Sequence, residues 1–387
     1  MTLETASQQP DMPGAAPHKH FISIVMPCLN EKDTVTTCVA KAAGWLKRSG
    51  YDGEVLVVDN GSTDGSPGLA VDAGARVVFE PVKGYGSALR RGFAEAKGDW
   101  LVMGDCDDTY EFSSLDPLIG PLEAGADMSI GNRFAGGIAP GAMTWSHRYI
   151  GTPVISLMLK LFTGLKVGDS QCGLRAFTRE ALDRLELKTD GMELASEMIL
   201  KAARRGLRVA DVPVPYAERL GEAKLNTFRD GWRHLRYLLL ASPNYLFTLP
   251  GTFLSLLGLV ILIAALPHDR ISIGGWTWEP VFAGSIFVVV GVNALLLGFA
   301  SRIYTSARGI TNEDSVIRFY NRYLGLEVFV AAGVLLVAAG LLIDIVLLLT
   351  HSGHRIGIAA VAQTSIAVGA NTVLVGALAS LLEEKRR

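Results

Sequence analysis

Apolar positions follow two regimes along this chain. Over residues 21–240, short apolar runs alternate with segments of helical spacing, whereas from Leu246 onward apolar residues run almost unbroken. Four stretches, 246–266, 279–301, 326–349 and 358–382, are nearly free of charge. Each is about 20 residues or longer, enough to cross a hydrocarbon core of about 30 Å as a helix. Asp344 is the costly exception in the third stretch, and it calls for snorkelling or for a polar partner such as Gln363 or Asn371. Runs of small residues at Ala331–Gly333 and Ala338–Gly340 predict close helix packing, within one chain or between copies in a homo-oligomer.

Ahead of these stretches the pattern is that of an α/β domain. Residues 21–26 form a continuous apolar strand ending at Pro27, and residues 34–48 follow with helical spacing. Further strands are predicted at 55–58, 76–79 and 100–103, with a helix over roughly 84–97. Strands alternating with helices at this spacing give a mostly parallel sheet covered on both faces, with ligands bound beyond the carboxyl ends of the strands. Residues 228–240 place Trp232, Leu235, Leu238 and Leu239 on an expected apolar face and Arg229, Arg233 and Arg236 elsewhere, the pattern of a helix lying in the membrane interface.

Charge adds an orientation. Arg302, Arg308, Arg318 and Arg322 fall between the second and third stretches, Lys385, Arg386 and Arg387 follow the fourth, and Lys224, Arg229, Arg233 and Arg236 precede the first. The other two loops carry only Arg270 and Arg355. Positive residues favour the cytoplasmic side, so both termini and the whole α/β domain are expected there. The formal net charge of -2 comes with no long basic run of the kind that binds nucleic acid. Cys28, Cys38, Cys106 and Cys172 have no zinc-ligand spacing and read as reduced thiols. Residues 1–20 lack the apolar core of a signal peptide and read as a disordered tail.

The unusual residues gather in the loops after the strands. Asp59 to Gly65 (DNGSTDG) suits a loop that holds a base or ribose, or equally a helix cap at Ser62 or Asp64. Asp105, Asp107 and Asp108 are three acids in four residues, which repel one another unless a cation intervenes. Lys83-Gly84-Tyr85-Gly86 opens a helix, either to bring backbone N–H groups to phosphate or simply to turn the chain. Arg219 and Lys224 stand just before the interfacial helix, where topology alone would also place basic residues. Gln171, Glu193 and Glu197 complete the set, as acceptor-side residues or as a solvated face.

Together the segments 26–31 (MPCLNE), 57–66 (VVDNGSTDGS), 83–92 (KGYGSALRRG), 104–110 (GDCDDTY), 131–134 (GNRF) and 219–226 (RLGEAKLN) resemble family 2 glycosyltransferases of the dolichyl- or polyprenyl-phosphate sugar synthase type. The resemblance covers nearly all of residues 21–226. It implies a Rossmann-like GT-A fold and inverting transfer of a hexose from a nucleotide-sugar, of GDP-mannose or UDP-glucose type, to a polyprenyl or dolichyl phosphate. It places Pro27, Asn30, Glu31, Asp59, Asn60, Asp64 and Cys106 on the nucleotide-sugar side, with Lys83 at the diphosphate. It implies Asp105 and Asp107 as ligands of Mg²⁺ or Mn²⁺, and Arg133, Arg219 and Lys224 at the acceptor phosphate. Two positions depart from the pattern: Thr109 stands where relatives often carry Gln, and Ala223 where they often carry Ser.

The expected organisation is a tail over 1–20, a GT-A domain over 21–226, an interfacial helix and linker over 227–245, and a four-helix membrane domain over 246–387. A processive polysaccharide synthase would carry a QxxRW element before its spans, and none occurs here. A non-catalytic partner in translocating lipid-linked sugars would have no need of the intact acid pair.

Overall fold

The computed structural model describes residues 20–220, 227–266, 271–273, 276–307, 318–319, 326–350 and 356–384. Expectations for residues 1–19, and for Ala223, Lys224, Arg270, Arg308, Arg322, Arg355 and 385–387, fall outside the described residues. The chain divides into two compact units, Met1–Leu235 and Arg236–Arg387.

The first unit is built on seven strands: β1 (Ile22–Cys28), β2 (Gly53–Asp59), β3 (Arg76–Phe79), β4 (Trp100–Met103), β5 (Met128–Asn132), β6 (Arg175–Thr178) and β7 (Val209–Pro213). Their order across the sheet is β3-β2-β1-β4-β6-β5-β7. All neighbours are parallel except β6, which runs antiparallel to both β4 and β5. This is the mostly parallel, GT-A-type sheet expected from the sequence. Ile24, Val25, Met26, Leu56, Val57, Val58, Leu101 and Val102 have no solvent exposure. Strands covered on both faces have no polar side to alternate with, so they appear in the sequence as unbroken apolar runs. The register pairs Cys28 with Asp59 and Val25 with Met103. The loops that follow β1, β2 and β4 therefore open at one edge of the sheet.

One buried ion pair fixes a loop that borders this edge. On the helix Leu194–Arg204, Glu197 and Lys201 pair at 2.7 Å, with side chains 2% and 5% exposed. The Glu197 carboxylate also accepts the Lys188 N–H (3.1 Å), the Thr189 N–H (2.9 Å) and the Thr189 hydroxyl (2.6 Å), while the Lys201 ammonium donates to the Glu186 carbonyl (2.6 Å). Glu197 is thus a structural anchor rather than part of a solvated face. The loop it holds then caps the helix Tyr85–Glu95, because the Asp190 carbonyl accepts the N–H groups of Gly86 (2.9 Å) and Ser87 (3.2 Å).

In the second unit, Asn244–Ala265, Pro280–Ser306, Leu326–Leu349 and Ile356–Leu382 are long and apolar enough to cross a membrane. They pack as two hairpins through small residues. A Cβ on Gly258 would lie 2.7 Å from the Gly284 carbonyl, and one on Gly333 would lie 2.6 Å from the Gly369 carbonyl. The Gln363 amide donates to Asp344, one of the partners the sequence offered.

The helix Thr227–Ala241 corrects one expected face. Trp232 is 56% exposed whereas Leu238 is fully buried, and the buried side carries His234, Leu238 and Ala241. At about 100° per residue, positions 232 and 238 lie on different faces, while 234, 238 and 241 share one.

Removing only Lys201 leaves the Glu197 carboxylate buried without its counter-charge. Lys201→Met is expected to destabilise the first unit by about 3–5 kcal/mol, read as a shifted denaturant midpoint. The double variant Glu197→Gln/Lys201→Met should regain part of that loss, and equal stability of Lys201→Met and the native protein would show the pair to be dispensable.

Candidate active site

The loops after β1, β2 and β4 are braced chiefly by their own side chains. Asp59, 3% exposed, accepts the N–H groups of Gly61 (3.0 Å) and Ser62 (3.2 Å). Asn60 donates to the carbonyls of Glu80 and Val82 and accepts the Gly84 N–H at 2.7 Å. Asp64 accepts the N–H groups of Lys32 and Ser66, both at 3.0 Å. Asn30 accepts the Thr63 N–H at 2.8 Å and holds φ 52°, a left-handed conformation that Asn tolerates better than most residues. The Cys106 thiol is buried and donates to the Pro27 carbonyl at 3.0 Å. These residues tie the loops after β1, β2 and β4 into one rim. Lys83 is exposed, and its Cε stands 4.0 Å from where a Cβ on Gly61 would lie.

The glycines beside Lys83 serve packing. A Cβ on Gly84 would lie 2.1 Å from the Asp190 carbonyl oxygen, and one on Gly86 would lie 2.4 Å from that of Thr189. The N–H groups of Gly86 and Ser87 are already bonded to Asp190, so the expected phosphate cradle at this helix start is corrected to a loop-packing contact.

The acid triplet divides. Asp108, at φ 60°, turns to Lys41, with 2.7 Å between carboxylate and ammonium. Asp107, 4% exposed, accepts the Thr109 hydroxyl at 2.6 Å on Oδ1 and pairs through Oδ2 with Arg219 Nη2 at 3.0 Å. The same Arg219 nitrogen reaches Glu31 Oε1 at 3.4 Å. Asp105 has a buried Oδ1 with no hydrogen-bond partner. Burial and the charge of Asp107 push its carboxyl up to about 7, against the opposing pull of Tyr85, Arg219 and Arg133. A Cβ on Gly173 would lie 2.8 Å from Asp105 Oδ2, so glycine is needed there for space. Among the described residues, no group of three or more His, Cys, Asp or Glu side chains is gathered to hold a metal ion. The acid pair, with its unpartnered buried oxygen, does fit a divalent ion whose other ligands come from a diphosphate or water.

Arg133 is 7% exposed and clasped by Asp169 through Nε (2.6 Å) and Nη2 (2.9 Å), with its guanidinium 4.9 Å from the Tyr216 ring centre. Asp169 is the partner that the sequence did not reveal, since a separation of 36 residues leaves no periodic trace. A cavity of about 500 Å³ is lined by Arg133, Gln171, Arg219 and His234, together with Glu218 and His147. Met143, Ile150, Ile155 and Met192 give it apolar walls. Glu193 and Glu197 do not line it, and Glu193 Oε2 is buried without a partner elsewhere.

The segment that forms one wall of this cavity also carries an exposed apolar stripe. Ile150, Val154, Leu157 and Leu161 are 48–59% exposed, and Trp145 and Tyr149 beside them are 67% and 60% exposed. The spacing 150, 154, 157, 161 was the available signal in the sequence.

Residues 23–186 match the profile described as Glycosyl transferase family 2. The low-salt glycan biosynthesis hexosyltransferase Agl6 of Haloferax volcanii is 35% identical over 324 residues, covering 83% of this chain and 77% of that protein. A dolichyl-phosphate hexose transferase of the same organism is 32% identical, covering 54% of this chain and 89% of that protein. The undecaprenyl-phosphate 4-deoxy-4-formamido-L-arabinose transferase of Pseudomonas fluorescens is 27% identical over 75% of this chain and 87% of its own length. With similarity of this extent laid over the sheet and the acid-bearing loops described above, the chain belongs to glycosyl transferase family 2 and is a glycosyltransferase.

Proposed function

We propose that the enzyme transfers a hexose from a nucleotide-sugar, of GDP-mannose or UDP-glucose type, to a polyprenyl or dolichyl phosphate at the cytoplasmic membrane face. The observation that carries this reading is the position of Arg219, which bonds Asp107 on the donor side and also lines the cavity with Arg133. A phosphate held by these two arginines would stand one side chain away from the acid pair. The apolar walls of the cavity suit the first part of a prenyl chain, and the exposed stripe from Ile150 to Leu161 suits a membrane surface. Two of the relatives carry lipid-phosphate acceptors in their names.

The chemistry needs little proton transfer. A phosphate monoester has its second pKa near about 6, so its dianion is already a nucleophile at neutral pH. In the proposed step an acceptor phosphate oxygen attacks the anomeric carbon. The bond from that carbon to the diphosphate breaks, the electron pair leaves with the nucleoside diphosphate, and the configuration inverts. Arg133 and Arg219, with Lys224 as a further candidate, would hold the acceptor phosphate in line. Asp105 and Asp107 would hold Mg²⁺ or Mn²⁺, which when bound offsets the charge on the leaving diphosphate. Pro27, Glu31 and Lys83 would face the donor, while Asp59, Asn60, Asp64 and Cys106 would act through the rim they stiffen.

The domain reading follows the same lines. Residues 21–226 would form the catalytic domain, 227–245 the interfacial helix and linker, and 246–387 the membrane anchor, with both termini cytoplasmic.

Membranes containing the protein, given radiolabelled nucleotide-sugars, polyprenyl phosphate and Mn²⁺, should form labelled lipid, and Asp105→Asn should abolish it. Label appearing only in a soluble acceptor would overturn the lipid-phosphate assignment. Arg219→Ala should raise the KM for lipid phosphate by about tenfold, the size of one lost hydrogen bond to a charged group. An unchanged lipid KM would return Arg219 to its structural pairing with Asp107 and Glu31.

Asp105 also predicts a pH dependence. Its folded-state pKa lies above the unfolded value, so the native state binds the extra proton between about pH 4 and about pH 7, and stability from this group falls as pH rises through that window. A cation that replaces the proton should then raise the Tm more at about pH 8 than at about pH 5.5, and Asp105→Asn should flatten the difference. Equal Mn²⁺ shifts at both pH values in the native protein would remove Asp105 from the metal site.

A further inference from the structure

Two amides stand in the middle of the long apolar helices. Asn293 lies at the midpoint of the span Pro280–Ser306, and Asn371 lies two residues past the midpoint of Ile356–Leu382. Asp344 takes its hydrogen bond from Gln363 and not from Asn371. Among the described residues neither asparagine side chain has a hydrogen-bond partner, and both are partly exposed. The threonines of the same helix are satisfied locally, for Thr364 and Thr372 donate to the carbonyls of Ala360 (2.7 Å) and Val368 (2.8 Å). The two amides extend one groove. A cavity of about 510 Å³ between the helices Pro280–Ala307 and Ile356–Glu384 is walled by Phe282, Ile286 and Val290 on one side and by Ala360, Gln363 and Thr364 on the other. Asn293 follows Ile286 by two turns and Val290 by one, and Asn371 follows Thr364 by two, so each lies on the groove side of its helix. Ser285, on the same wall, has a buried hydroxyl oxygen without a partner.

An amide in hydrocarbon without a hydrogen bond is costly, so the groove calls for an occupant with polar atoms at mid-membrane depth. A lipid chain has none there. A polar headgroup crossing the membrane would need polar side chains through both leaflets, yet beyond Asn371 the same face continues with Leu374 and Leu378, 67% and 43% exposed. A helix with its own mid-span amide meets the requirement, and this chain carries two.

We propose that the groove is the contact face between two copies of this chain, with Asn293 and Asn371 hydrogen-bonded across it. A carboxamide both donates and accepts, so identical patches satisfy each other about a two-fold axis. Copies inserted in the same orientation bring their amides to one depth. Phe282 and Ile286, 52% and 59% exposed, stand on the rim at the depth of the cavity and would fill that of the facing copy. The glycines at Gly258, Gly284, Gly333 and Gly369 are already engaged inside the chain's own hairpins, which leaves polar contacts to hold the copies together. The contact does not depend on the lipid-phosphate reading of the catalytic unit.

The full-length protein, fluorescently tagged and reconstituted in liposomes over a range of protein-to-lipid ratios, is counted by photobleaching steps. It should remain dimeric as the density falls. The double variant Asn293→Leu/Asn371→Leu places side chains that suit lipid at both positions, and it should need about tenfold higher density to dimerise, the size of an interhelical hydrogen bond of this kind. The four native cysteines are buried, so a single introduced thiol can be cross-linked selectively. Val290→Cys, on the rim of the groove, should link two copies, whereas Leu348→Cys, 76% exposed on the helix Leu326–Leu349, should not. These variants keep both asparagines, so the cross-links decide even if the double variant misfolds. Single-step photobleaching of the native protein at every density would overturn the proposal. So would a dimer that the folded double variant leaves unchanged, or one that links through Leu348→Cys and not through Val290→Cys.

Discussion

Two neighbouring carboxylates, Asp107 buried and Asp105 partly buried with its Oδ1 enclosed, set the terms for the rest of the catalytic unit. Asp105 and Asp107 follow β4, at the carboxyl edge of the sheet, where backbone and side chains exclude most water. Such a pair persists only if a proton, a cation or a guanidinium balances it. The chain supplies the guanidinium from Arg219, so the segment after β7 must return across the edge to reach Asp107 and Glu31. It supplies the space for Asp105 from Gly173, which sits just before the antiparallel strand β6. The reversed strand thus has a consequence for chemistry, because it brings the turn Asp169–Gly173 to the acids and Asp169 to Arg133.

The same economy explains how stiff the rim formed by the loops after β1, β2 and β4 is. Asp59, Asn60 and Asp64 read in the sequence as ligand-binding groups, yet their side-chain oxygens are bonded to N–H groups of the loops themselves. A rim whose polar atoms are already paired would lose little freedom on binding the proposed nucleotide-sugar, which is what electrostatic preorganisation requires. The thiols fit this picture of fixed packing. Burial pushes Cys38 up to about 12 and Cys172 up to about 11, so neither is poised as a thiolate nucleophile.

What the sequence made legible, and what it hid, divides along physical lines. Strands β1, β2 and β4 and the four long apolar helices are composition written directly into structure, because segments surrounded by apolar material have no polar side. The acid pair was legible because clustered like charges are costly and therefore rare. The pairs Arg133–Asp169 and Ser196–His234 were hidden, since each joins separate elements and a pairing between distant positions leaves no local pattern. Gly84 and Gly86 misled for another reason. A glycine that admits a phosphate and one that admits a neighbouring carbonyl look alike until the Asp190 loop is placed against them. Glu197 was ambiguous in the same way, because a spacing of four from Glu193 says which face a residue shares but not what lies against that face.

An acceptor with a charged head and an apolar tail poses a problem that a water-soluble acceptor does not. Its phosphate must leave solvent for a site rich in donors while its chain avoids water along the way. In the proposed reaction the segment from Gly141 to Ile155 would meet both demands, for it lines the cavity with Met143, Ile150 and Ile155 and continues into the exposed stripe of Val154, Leu157 and Leu161. Each of these roughly half-exposed apolar side chains forgoes about half of the ~1.5–3 kcal/mol of full burial, so a run of them on a folded unit is costly unless something covers it. Arg148 on this segment, with Lys160 and Lys166 after it, carries charge of the sign that favours anionic headgroups. In the proposed reaction the apolar stripe, the cavity wall and the two arginines form one continuous gradient from lipid to phosphate. The acceptor would need only to slide along it to reach the acids proposed to hold the donor.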